Sequence, residues 1–182
     1  MPRWIARAIG ISDRIAHVLA YVSGAVLVLL ALFITVDVLG RRYGGPYTGA
    51  TDEISVFAMA AAVTWALAYT SVVGKHIRID LTLPLLSPKL RRVADYGGMA
   101  LLAVFALLLA VNCWRLAWES LEIGSISMSK LSVPLVYPQA LMAAGFTFLA
   151  IHAFITLLAA PYCDLDALHD AHRGEADAIA DI

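Results

Sequence analysis

Four apolar runs, each long enough to cross a bilayer, decide what this chain can fold into. A bilayer core about 30 Å thick takes about 20 mostly apolar residues in a helix. Residues 16–38, 54–73, 96–114 and 137–160 each meet that length. The composition agrees, with 61% hydrophobic and 15% charged residues, where an ordinary globular domain has about 45–50% and about 25%. The expected fold is an all-α membrane protein whose four transmembrane helices occupy residues 1–160, followed by an acidic tail over 161–182.

The basic residues orient these helices, because short cytoplasmic loops collect Lys and Arg. Of 13 such residues, Arg3, Arg7, Arg14, Lys75, Arg78, Lys89, Arg91, Arg92 and Arg173 share the side of the N-terminus. Only Arg41, Arg42, Arg115 and Lys130 fall on the other side. Both termini are therefore expected in the cytoplasm, with Arg41–Arg42 arguing against it. Cys113 and Cys163 then lie at opposite membrane faces and cannot pair within the chain. The first apolar run is too long for the core of a signal peptide, and no small-residue cleavage site follows it. A net charge of -1 gives no argument for nucleic acid.

The segments flanking the spans carry their own patterns. Trp4, Ile5, Ala8, Ile9, Ser12 and Ile15 recur at helical spacing, with Arg3, Arg7 and Arg14 mostly off that stripe. Residues 1–15 therefore read either as an amphipathic helix on the inner leaflet or as a plain basic anchor. Between spans two and three, Ile77, Ile79, Leu81 and Leu83 alternate with polar residues. We expect this stretch to lie in the interface, with Pro84 and Pro88 turning the chain onward. Span three is expected to continue past the membrane through Trp114, Trp118 and Leu121, with Gly124 as its stop. Arg115 and Glu119 can pair at i, i+4, but the charged stripe reads more readily as a solvated helix end. Ser125, Ser127, Ser129 and Ser132 read as a polar outer loop. Small residues at Ala16, Ala20 and Gly24, and at Ala58, Ala62, Ala66, Thr70 and Gly74, form ridges suited to close helix packing. In a chain so rich in alanine, such ridges also arise by chance.

One stretch concentrates charge beside hydrocarbon. Residues 37–53 hold Asp37, Arg41, Arg42 and Glu53, broken by Gly44, Gly45 and Pro46 and flanked by Tyr43 and Tyr47. Charges placed there are paired, snorkelled to the interface, or functional.

No phosphate-cradling glycine loop, nucleophile motif or closed metal-ligand spacing appears. His169 and His172, among Asp164, Asp166 and Asp170, read as part of a solvated tail more readily than as metal ligands. His17, His76 and His152 make no pair at equal depth for a haem, and His152 reads as a helix–helix hydrogen-bonding residue. A carrier acting alone is disfavoured, since internal repeats, broken helices and central charges are missing.

The motif Asp37-Val38, Arg42-Tyr43, Pro46 and Asp52-Glu53 resembles the small membrane subunit of tripartite ATP-independent periplasmic (TRAP) transporters. Gly74-Lys75-His76-Ile77-Arg78-Ile79-Asp80 resembles that family's next motif, and Pro134, Tyr137 and Pro138 fit ahead of span four. The likeness covers roughly residues 15–160. It departs where the family commonly has a tryptophan, since this chain has Gly49 and Ala50. The resemblance implies a non-enzymatic subunit of a sodium-coupled secondary transporter for organic acids in a bacterial inner membrane. Its partners would be a large membrane subunit, which it braces, and a periplasmic substrate-binding protein. Asp37, Arg42, Tyr43, Pro46, Asp52, Glu53, His76, Arg78 and Asp80 are then the candidate partner-interface residues, with no cofactor. The rival reading is a membrane anchor of a redox enzyme, with quinone or haem near His152.

Overall fold

In the computed structural model, which describes residues 3–45, 47–72, 88–128 and 131–159, each apolar run becomes a helix. These are α1 (Arg3–Tyr43), α2 (Thr51–Val72), α3 (Pro88–Ile123) and α4 (Val136–Ala159). All four are long and apolar enough to cross a membrane. The α2 and α4 bounds fall close to their apolar runs, whereas α1 and α3 continue well beyond theirs.

Residues 3–15, read from sequence as an amphipathic helix or a plain basic anchor, are helical and continuous with the first span. Helix α1 runs 41 residues from Arg3 without interruption, about 60 Å at 1.5 Å per residue and twice the hydrocarbon thickness. The reason is local. After Pro2 no proline follows until Pro46, and an isolated Gly10 or Gly24 does not stop a helix. Ile5, Ser12, Ala16, Ser23 and Asp37 are the buried residues of α1, spaced by sevens and a four along one stripe. Trp4, Ile11 and Ile15, by contrast, are exposed. The interfacial stretch expected at 76–83 and the tail at 161–182 lie outside the described residues.

Two helices end on the same device. Gly44 (φ 70°) follows α1 and Gly124 (φ 68°) follows α3, both in the left-handed region that glycine enters freely. Each lets the next amide reach back, Gly45 N–H to Gly40 O at 2.8 Å and Ser125 N–H to Ser120 O at 3.0 Å. This is the Schellman arrangement, and it satisfies carbonyls that the helix end would otherwise orphan. Gly124 thus stops α3 as expected. The serine-rich loop beyond it is more ordered than its polarity suggested. Ile126 and Pro134 form an antiparallel bridge, flanked by Ser127 N–H to Val133 O (2.9 Å) and Leu135 N–H to Ser125 O (3.0 Å).

Helices α2 and α4 form the centre of the bundle. The main contacts of α1 are with α2, and those of α3 are with α4. Lipid tails are as apolar as leucine, so helices in a bilayer associate through close packing of small residues. The core accordingly groups Ala16, Ala68, Val72, Ala106, Leu149 and Ala150. At the α2–α4 crossing a Cβ on Gly145 would stand 2.7 Å from Thr64 Oγ1 and from Trp65 Cδ1. Indole hydrogen bonds pin the neighbouring levels. Trp65 Nε1 donates to the Leu141 carbonyl (2.9 Å) and Trp114 Nε1 to Thr147 Oγ1 (3.0 Å). The ridges expected from spacing need correcting here. In α2 the buried seam is Thr64, Ala68 and Val72 together with Ala62, while Ala58, Ala66 and Thr70 are only half-buried. In α1 the seam passes from Ala16 to Ser23, and Gly24 faces open space.

Candidate functional site

The charged junction between α1 and α2 is organised around one carboxylate. Asp37 lies two turns before the end of α1 and is only 3% exposed. Its Oδ1 accepts the Thr48 backbone N–H (2.7 Å) and the Thr48 hydroxyl (2.9 Å). Its Oδ2 accepts the Thr51 hydroxyl (2.5 Å) and the Arg41 guanidinium (3.1 Å). A buried carboxylate is costly unless its lone pairs are met, and here both oxygens are doubly engaged. The effect is mechanical. Thr51 opens α2, so Asp37 ties the last turns of α1 to the first turn of the next helix. Gly49, at φ 65°, provides the bend between the two threonines. Arg41 also lies over the Tyr47 ring, 5.7 Å from its centre.

The other candidates divide by where they point. Arg42, Tyr43 and Asp52 are exposed, Tyr43 at 78%. Glu53 is buried in the first turn of α2, where a negative charge suits the helix dipole. Arg42 makes no ion pair with a described residue, and so none with Glu53. Pro46, His76, Arg78 and Asp80 lie outside the described residues. Sequence reasoning missed Thr48 and Thr51. The available signal was a pair of hydroxyl residues bracketing Gly49 at a helix start, where threonine usually caps its own helix.

A second polar contact joins helices far apart in the chain. His152, buried in α4, shares a 2.8 Å hydrogen bond between its Nδ1 and Ser12 Oγ of α1. Asp13 Oδ1 lies 3.9 Å from the same nitrogen. The helix–helix role expected of His152 is what the geometry gives. Seven residues farther toward the same end of both helices, Ile5 and Ala159 are also buried, which fits an antiparallel register through the Ser12–His152 bond. His17 instead meets the Tyr69 ring of α2 edge-on at 4.9 Å. The two histidines thus engage different helices. Among the described residues, no group of three His, Cys, Asp or Glu side chains could hold a metal ion.

At the far end of α3, Arg115 and Glu119 are both exposed and do not pair with each other, as the solvated-end reading of this stripe has it. Trp118 Nε1 donates to Glu122 Oε1 instead, at 2.8 Å.

A family model described as "Tripartite ATP-independent periplasmic transporters, DctQ component" matches residues 30–160, well over half of the chain. The matched stretch takes in the Asp37 junction, α2, α3 and α4. Comparison with curated proteins and with solved structures gave no match.

Proposed function

The chain belongs to the DctQ component family of tripartite ATP-independent periplasmic transporters, and from that membership we propose that it braces the large membrane subunit of a sodium-coupled transporter for organic acids. As a member it is a multi-pass membrane protein and a small transporter subunit, not an enzyme. Transporters of this family also use a large membrane subunit and a substrate-binding protein. The match over residues 30–160 is the observation that carries the proposal.

The placement of charge supports a bracing role. A transport pathway needs ionisable groups near mid-membrane. In the described residues the charges gather toward helix ends, and Asp37 is fully engaged inside the junction. In our reading the protein sits in the bacterial inner membrane with both termini cytoplasmic. The α1–α2 junction then faces the periplasm, where the substrate-binding protein docks. Asp37 and Glu53 hold the junction in shape from within, while Arg42, Tyr43 and Asp52 present its outer surface to partners. Pro46 joins them in this proposal, and His76, Arg78 and Asp80, cytoplasmic by the same charge bias, are proposed contacts of the large subunit.

The test is co-purification of a tagged chain with the large subunit in mild detergent, with membrane levels of each variant matched first. Arg42→Ala should lower recovery by about tenfold, the scale of one lost charged contact at 1.4 kcal/mol. Arg3→Ala should leave recovery unchanged. Wild-type recovery by both Arg42→Ala and Asp52→Ala would move the docking surface away from the junction.

A further inference from the structure

The outer end of α3 carries a feature that bracing does not use. Val111, Trp114, Arg115, Trp118, Glu119 and Glu122 line an open groove of about 500 Å³. Both indole N–H groups are already engaged, with Thr147 and with Glu122, so the rings are fixed and offer their faces. Trp118 is 64% exposed. Arg115 and Glu119 stand one turn apart, where opposite charges on a helix commonly pair. Here both are exposed and neither makes an ion pair with a described residue. An open cation and an open anion thus flank a pair of oriented indoles.

Helical spacing joins this groove to an apolar track. Val104, Leu107, Leu108 and Val111 precede Trp114 and Arg115 on the same face of α3, and all four are exposed. Tryptophan is enriched at the boundary between hydrocarbon and headgroups. The polar end of the face therefore suits a headgroup, and the apolar end suits acyl chains. A phosphate suits the planar fork of Arg115. A primary ammonium suits the Glu119 carboxylate and the face of Trp118.

We propose that this face of α3 binds a zwitterionic phospholipid of the phosphatidylethanolamine type. The phosphate sits on Arg115, the ammonium lies between Glu119 and Trp118, and the acyl chains follow Val111 toward Val104. The track along one helix favours a lipid over a free phosphate, which would have no use for it.

Native mass spectrometry tests this on the full-length chain in complex with its large subunit, delipidated and then titrated with dioleoylphosphatidylethanolamine or dioleoylphosphatidylglycerol. The wild type should retain the ethanolamine lipid more strongly. Glu119→Gln should weaken it by about tenfold while leaving the glycerol lipid unchanged, and Arg115→Gln should weaken both by about tenfold. Both positions are exposed, and helix content by circular dichroism checks that the variants fold. Equal retention of the two lipids by the wild type, or unchanged retention in both variants, overturns the proposal. So does a variant that sheds the large subunit with lipid binding intact, because the groove would then be a protein contact.

Discussion

At the scale of single residues, Asp37 shows how a membrane protein keeps a carboxylate beside hydrocarbon. Its four hydrogen bonds come from Thr48, Thr51 and Arg41. Removing the acceptor strands buried donors, at about 1–3 kcal/mol for each unsatisfied group. Asp37→Ala should therefore lower the thermal midpoint of the detergent-solubilised subunit, with a loss on the order of 3 kcal/mol. Arg42→Ala, at an exposed position with no ion pair to a described residue, should stay within about 0.5 kcal/mol of wild type. Equal midpoints for the two variants would refute the clamp. Part of this was legible in advance. A charge at position 37 had to be paired, snorkelled or functional, and that much the sequence stated. Its partners were hidden because they are neutral hydroxyls and a backbone amide, brought in by a bend at Gly49.

At the scale of helices, fit between neighbours matters more than the count of small residues. Gly145 has no room for a Cβ beside Thr64 and Trp65, whereas Gly24 faces open space. Gly145→Ala should cost about 1–3 kcal/mol in the same detergent assay through overpacking. Gly24→Ala should be neutral or gain up to about 1 kcal/mol from helix propensity. The reverse order would show that the α2–α4 crossing is misplaced. Spacing alone pointed to the wrong ridge in α2 because alanine fills several faces of that helix equally. Only the cross-helix neighbour selects among them. The full reach of α1 was hidden for another reason. The apolar run begins at Ala16, but nothing from Arg3 onward breaks a helix, and the Ser12 contact with His152 joins residues 140 apart. If that contact sets the α1–α4 register, a double-mutant cycle of Ser12→Ala and His152→Ala should give a coupling of about 0.6 kcal/mol or more. Additive effects would count against it.

At the scale of the molecule, the number and length of the spans were readable because hydrocarbon thickness dictates them. Neighbour relations were not, since an α1–α2–α4–α3 order leaves no trace in hydropathy. The charge bias predicts orientation. With Cys113 and Cys163 replaced, a cysteine at Ser127 should react with an impermeant thiol reagent from the periplasm, and one at Ser87 should not. The opposite pattern would turn the Asp37 junction toward the cytoplasm. The central claim is that this chain supports transport without performing it. Its most direct test is uptake of a radiolabelled panel of organic acids into vesicles under a sodium gradient. Vesicles holding this chain alone should match empty ones, and adding the large membrane subunit and the substrate-binding protein should give uptake that neither partner gives without this chain. Uptake by this chain alone above the empty-vesicle level would contradict the account.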